Sequence, residues 1–402
     1  MSNTSPPVQL PKFVSLDDHV IEPPDVWQSR LPKRYRDIGP RVELLPEGTV
    51  SLEGGRFRER PGTTGRKVAY WRYEDLFMSV KRLSTAVGFA DLDVSLAGVT
   101  YDEIRPGCWQ QQPRLADMDQ NWTEASLCFP NFPRFAGQAF AEAADKELAL
   151  LCVRAYNDWM VDEWCAGSNG RLLPLCLVPL WDAELAATEI RRNAARGVRG
   201  VTFSEIPAFL GLPSVHSGYW NVFFEACEET GTALFLHIGS GTKMPRTSDD
   251  APDAVAVSMA FGNCVGSLGD FIFSGVLDRY PGLRLVYSEG QIGWIPFYLE
   301  RADEVWRVSR GWSFSPSLVP EPPSFYYYRQ VYGCFVRDFH GVESIARVGI
   351  DNVTFETDYP HADSTWPNTR ELAQRMLAGL DDESIYKIVR GNAINLLGLD
   401  LS

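Results

Sequence analysis

Four short apolar runs, far apart in a chain of 402 residues, each end in a side chain of the kind that binds metal ions. Val353-Thr-Phe-Glu-Thr-Asp358 delivers a carboxylate and then turns through Pro360 to His361. Phe13-Val-Ser-Leu-Asp-Asp-His19 ends in acid and imidazole, and Ala233-Leu-Phe-Leu-His237 in imidazole followed by Gly239 and Gly241. Leu283-Arg-Leu-Val-Tyr-Ser-Glu289 ends in a carboxylate before Gly290. Apolar runs this short, closed by turn residues, read as buried strands. Strands that all finish in ligand-type side chains need a fold in which strand ends meet.

The pattern between these runs supplies such a fold. Ala125–Phe129, Leu172–Leu180, Gly200–Glu205 and Gln330–Val336 read as four more strands. Stretches of helical period separate most of them, including Gly137–Trp164 and a helix capped by Asp182 and stopped by Gly197. Eight strands with helical crossovers at this length predict an α/β fold, a (β/α)8 TIM barrel, in which strand C-terminal ends share one mouth. Residues 1–12 read as a flexible N-terminal arm and 13–402 as a single metal-dependent barrel domain. Residues 25–120, irregular and rich in Pro, Gly and Arg, read as a long cap insertion after the first strand. Trp71, Tyr73, Trp109 and Arg114 there, and Tyr326–Tyr328 later, are expected to roof the mouth.

Composition removes other classes. A formal charge of −14 argues against nucleic acid or an anionic membrane as partner. No apolar stretch is long enough to span a bilayer, and the first residues lack a signal-peptide pattern. The eight cysteines are scattered without a Cys-x-x-Cys pair and read as buried free thiols. A cytoplasmic protein is expected.

Alternation along a strand puts Asp17 and His19 on one face and Asp18 on the other. It also pairs Asp358 with Glu356 one layer deeper, and Glu205 ends the fourth strand at the same mouth. The expected metal set is Asp17, His19, Glu22, His237, Glu289 and Asp358. His361 is expected to back the ligands or carry protons, with Asp358 and Glu289 as its catalytic companions. His216 and His340 sit in loops and read as structural.

Asp17-Asp-His-Val-Ile-Glu-Pro23, His237-Ile-Gly-Ser240, Ser288-Glu-Gly-Gln-Ile-Gly-Trp-Ile-Pro296 and Thr357-Asp-Tyr-Pro-His361 together resemble the amidohydrolase-related family. The branch that they resemble includes the aminocarboxymuconate-semialdehyde decarboxylase type. The resemblance implies a barrel with a divalent metal on Asp17, His19, His237 and Asp358. Two positions depart from it. Glu205 stands where hydrolytic relatives carry a bridging Lys, and Glu289 where decarboxylases carry a His.

Three functions fit this inventory. The preferred one is a dinuclear non-haem iron (Fe/Fe or Fe/Mn) monooxygenase hydroxylating a C–H bond of an organic acid or acyl substrate. Carboxylates favour hard ions, four acids repel unless a second cation is present, and a small branch similar in pattern uses such a centre. The alternative is a mononuclear Zn or Mn hydrolase or non-oxidative decarboxylase of a carboxylate. The third is a non-catalytic subunit that binds metal for stability. A small carboxylate or acyl partner is expected, with dioxygen for the oxygenase, and a homodimer or related hetero-oligomer.

Overall fold

A computed structural model describes residues 9–53, 56–90 and 93–401; residues 1–8 of the expected arm lie outside the described residues. The strands, in chain order, are β1 (Phe13–Val20), β2 (Arg41–Pro46), β3 (Thr49–Glu53), β4 (Arg56–Arg60), β5 (Lys67–Tyr73), β6 (Leu76–Ser79) and β7 (Thr123–Pro130). There follow β8 (Leu172–Leu173), β9 (Leu175–Cys176), β10 (Gly200–Phe203), β11 (Ala233–His237), β12 (Leu285–Ser288), β13 (Val331–Phe335) and β14 (Val353–Phe355). One parallel sheet runs in the order β8-β7-β1-β14-β13-β12-β11-β10-β9. Its two ends are consecutive pieces of the chain, parted by Pro174, which has no N–H to give to a ladder. β8 pairs with β7 and β9 with β10, so this one segment closes the sheet on itself. The fold is the expected (β/α)8 barrel, with its third strand broken by a proline.

Alternate residues of several strands, among them Val14, Leu16, Leu127, Phe129, Leu175, Phe235 and Val286, fill the interior as one cluster. A Cβ at Gly200 would come within 3.0 Å of the Phe235 ring and 3.2 Å of Leu175, so glycine leaves room for them. The other strand faces, including Phe13, Phe203, Leu234 and Phe355, pack under the helices. Strict alternation from Val14 and Leu16 would turn Asp18 inward. The β1–β7 register shifts between Ser15 and Asp18, and that irregularity brings Asp17 and His19 inside instead.

Residues 25–120 hold more regular structure than their composition suggests. β2, β5 and β6 form an antiparallel sheet, β3 and β4 a hairpin, and Gln111–Gln120 a helix. Several aromatics expected above the mouth are core residues instead. Trp71 meets Trp27 edge-on at 5.1 Å and stacks on Phe132 at 5.0 Å, and Tyr73 is buried beside them. Tyr326–Tyr328 belong to a helix, Pro323–Gln330, that runs directly into the first residue of β13. That places them at the end of the barrel opposite the mouth. Among the described residues no helix is long and apolar enough to cross a membrane.

Candidate metal centre

At the C-terminal ends of β1, β11, β12 and β14 the ligand-type side chains converge. His19 Nε2 lies 3.4 Å from Asp17 Oδ1, 3.3 Å from Asp358 Oδ1 and 3.2 Å from His237 Nε2. His237 Nε2 is 3.5 Å from Asp17 Oδ2 and 3.6 Å from Glu289 Oε1. His361 joins the edge of the group, its Nδ1 3.2 Å from Asp358 Oδ1 and 3.7 Å from Glu289 Oε1. Two overlapping quartets result, Asp17-His19-His237-Glu289 and His19-Glu289-Asp358-His361, with donor atoms of each within 4.8 Å of one another. Donors about 2.0–2.2 Å from a shared ion stand roughly 3.0–3.6 Å apart, close to the 3.2–3.7 Å between the nearest pairs here. Both oxygens of Asp17 and both of Asp358 are buried without a hydrogen-bond partner among the described residues. Buried carboxylates left bare are costly unless a cation meets them. The group therefore fits a divalent metal ion.

The electrostatics agree. Burial, followed by Glu356 and Glu289, pushes Asp17 well above the ordinary carboxylate range. Burial and then Glu289 do the same to Asp358. Burial also opposes ionised Glu289, but His237, His19 and His361 outweigh it and hold Glu289 well below the usual range. His19 is driven well below its ordinary value by burial and by His361, so it presents a neutral imidazole. His237 Nδ1 sits 2.6 Å from Ile238 O, and since a carbonyl only accepts, Nδ1 carries a proton and Nε2 is the nitrogen turned to the group.

The backbone aims these groups in an unusual way. Glu289 and Asp358 both leave their strands in the left-handed region, with φ of 53° and 49°. Asp358 N donates to Asp17 O at 3.0 Å, and Glu289 N to Glu356 Oε2 at 3.1 Å. Asp338 accepts from Ile292 N and Gly293 N and so ties down the loop after Glu289.

Asp18, facing away from the group, joins three strands. It accepts from Ser15 Oγ at 3.1 Å, Ser126 Oγ, Thr357 Oγ1 at 2.6 Å and Tyr359 N at 3.0 Å. Arg114, expected at the mouth, is wholly buried. Its guanidinium donates to His19 O at 2.5 Å and Gly107 O at 2.7 Å and lies 4.2 Å from the centre of the Tyr359 ring. The sequence holds no sign of that role, because the bond to His19 joins residues 95 positions apart.

Glu22 is a correction. It stays out of the group because its Oε1 and Oε2 accept from Asn131 N at 2.8 Å and Phe132 N at 2.9 Å. Burial raises it to about 7, against those two backbone donors. Glu205 Oε1 accepts from Gly239 N, Gly241 N and Asn263 Nδ2 and braces the loop after His237. His216 pairs with Asp270 at the surface. The sequence also gave no weight to Phe135, whose ring stacks on His237 at 3.9 Å.

Comparison with known proteins bears on the chemistry. The profile of the family described as Amidohydrolase matches residues 72–399. The gamma-resorcylate decarboxylase of Rhodococcus jostii (strain RHA1) is 26% identical over 355 residues, covering 81% of this chain and 98% of that protein. Of solved structures, an amidohydrolase from Mycobacterium avium subsp. paratuberculosis K-10 superposes with a TM-score of 0.69 at 20% identity, over 97% of this chain and all of the other. The 5-carboxyvanillate decarboxylase of Novosphingobium aromaticivorans DSM 12444, complexed with manganese and 4-hydroxy-3-methoxy-5-nitrobenzoic acid, gives 0.59 at 21% identity, over 71% and 79%. These relatives overturn the expectation of a dinuclear iron monooxygenase. The curated relative is a decarboxylase, and neither dioxygen nor a pair of irons finds support. The acid-rich inventory misled because counting carboxylates treated Glu22, which is bound to backbone, as a ligand.

Proposed function

Since the chain belongs to the amidohydrolase family and is a metalloenzyme of that superfamily, we propose that it is a metal-dependent, non-oxidative decarboxylase of a small organic carboxylate. Hydroxylated aromatic acids are the first class to test, in line with the gamma-resorcylate decarboxylase relative. Asp17, His19, His237 and Asp358 would hold one divalent cation, manganese or zinc, with Glu289 beside them. The bound cation supplies a positive anchor and Lewis-acid polarisation for the substrate's carboxylate.

The side chains then handle one proton. In decarboxylation the C–C bond breaks, its electron pair stays on the substrate carbon, CO2 leaves, and that carbon takes up a proton. Asp358 and His361, 3.2 Å apart, are the pair placed to hold and replace it. His361 Nε2 has no hydrogen-bond partner among the described residues, which leaves it free for this exchange. The observation that carries the reading is the set of bare carboxylate oxygens of Asp17 and Asp358 facing two imidazole nitrogens.

The test is to load the protein with Mn2+ under strict anaerobiosis, supply a panel of hydroxybenzoates, and measure released CO2. Release without dioxygen supports the reading. Turnover that requires dioxygen, or a loaded protein that leaves every acid intact, refutes it.

A further inference from the structure

We propose that Phe135 is the wall against which the substrate packs, that it selects planar aromatic acids over aliphatic ones, and that Glu22 is the residue positioning it. The inference rests on the decarboxylase reading for its carboxylate ligand but not for any reaction step.

Two phenylalanines touch the imidazoles of the centre. Phe129 is fully buried under His19 and His237 and has no face to offer. Phe135 is only partly buried. It stacks on His237 at 3.9 Å and 25°, and its ring centre stands 5.4 Å from His19 and 6.1 Å from His361. It alone among the described phenylalanines contacts all three rings. The loop after β11 passes beside the Phe135 ring at Gly239, where a Cβ would make an ordinary contact at 3.5 Å and the φ of +79° is what favours glycine. An aromatic surface beside a cation-binding carboxylate group suits a flat ring that carries a carboxylate, which stacks better than a puckered one.

Phe135 lies on an irregular loop, yet the loop is pinned at several points. Glu22, buried at the end of β1, takes the consecutive N–H groups of Asn131 and Phe132 with its two oxygens. Thr202 Oγ1 donates to Phe135 O at 2.6 Å. Gln138 accepts from Ala136 N at 2.8 Å and donates to Ser240 O at 2.9 Å, joining this loop to the one after His237. Both oxygens of Glu22 are engaged by these backbone donors, and Glu22 belongs to neither ligand quartet. Glu22 acts on the site through Phe135.

The test compares binding of benzoate and cyclohexanecarboxylate to the Mn2+-loaded full chain by calorimetry, together with metal content. The intact protein should prefer benzoate by roughly 3- to 10-fold, the range that ring stacking supplies. Phe135→Leu should bring that ratio to about one with metal content unchanged, and Phe135→Tyr should keep it. Glu22→Gln should lower the ratio in the same direction, and adding it to Phe135→Leu should change nothing more. An unchanged ratio in Phe135→Leu, or loss of metal from Glu22→Gln, overturns the proposal. Binding is read without turnover, so a protein that prefers benzoate yet releases no CO2 refutes the decarboxylase and leaves this wall standing.

Discussion

Replacing Asp358 by Asn should stabilise the metal-free protein while abolishing its response to metal. Asp358 is buried, both oxygens lack hydrogen-bond partners, and its donor atom lies within 4.8 Å of that of Glu289. Two unit charges at that separation repel by about 3 kcal/mol at an effective dielectric constant near 20. Asparagine removes the charge, keeps the shape, and tolerates the left-handed backbone at this position. For 402 residues the unfolding entropy is on the order of 0.8 kcal/mol/K, so 3 kcal/mol corresponds to about 4 °C in Tm.

The pH dependence fixes the sign. Burial and Glu289 hold the Asp358 carboxyl well above its unfolded value, so the folded state binds the proton more tightly. Its contribution is most favourable below the unfolded pKa and is lost as pH rises towards the folded one. The Asn variant escapes that loss, so its advantage should be absent near pH 4 and grow towards pH 8. Calorimetric scans in chelator would show this. In Mn2+ at 100 times Kd the parent should gain about 2.7 kcal/mol, roughly 3 °C, and the variant nothing. A lower Tm for the metal-free variant at pH 8 would refute the argument, because the carboxylate would then be making a stabilising contact.

Other substitutions separate support from ligation. Glu22→Gln should retain full metal content but lose about 1–3 kcal/mol in urea unfolding, since its amide NH2 must face a backbone N–H. Asp18→Ala strips partners from Ser15, Ser126, Thr357 and Tyr359 N and removes one of the negative groups that favour buried Arg114. A loss of about 3–5 kcal/mol is expected, with weaker metal binding in the same titration. His216→Ala breaks an exposed pair and should shift stability by less than about 1 kcal/mol with metal content unchanged.

The barrel was legible because its strands are short apolar runs and its helices keep their period. The meeting of His19, His237, Glu289 and Asp358 was legible because each ends its own strand. What lay beyond reach has particular causes. The shared face of Asp17 and His19 was expected, but the register shift after Ser15 that turns it inward is announced by no pattern of two. The antiparallel strands within 25–120 were hidden because β5 is buried along nearly its whole length and so shows no alternation of polar and apolar residues. Glu22 looked like a ligand since its rivals for a carboxylate were backbone N–H groups, which carry no letter in a sequence.

Glu289 and Asp358 show why the site costs the fold something at two levels. Each adopts a backbone conformation that glycine would enter without strain, and each adds negative charge to a dry cluster. Glycine at Asp358 would ease the backbone and the repulsion together, whereas at Glu289 it would ease the backbone but give up the imidazole contacts that favour the ionised carboxylate. The fold holds the two residues there: Asp17 O receives Asp358 N, and Glu356 receives Glu289 N. One strained residue is thus held by the backbone of a group member and the other by the carboxyl of Glu356, which lies outside both quartets. A cation that draws these carboxylates together would reinforce the contacts that hold the strain, so metal binding and backbone order should rise and fall together in the two strand ends.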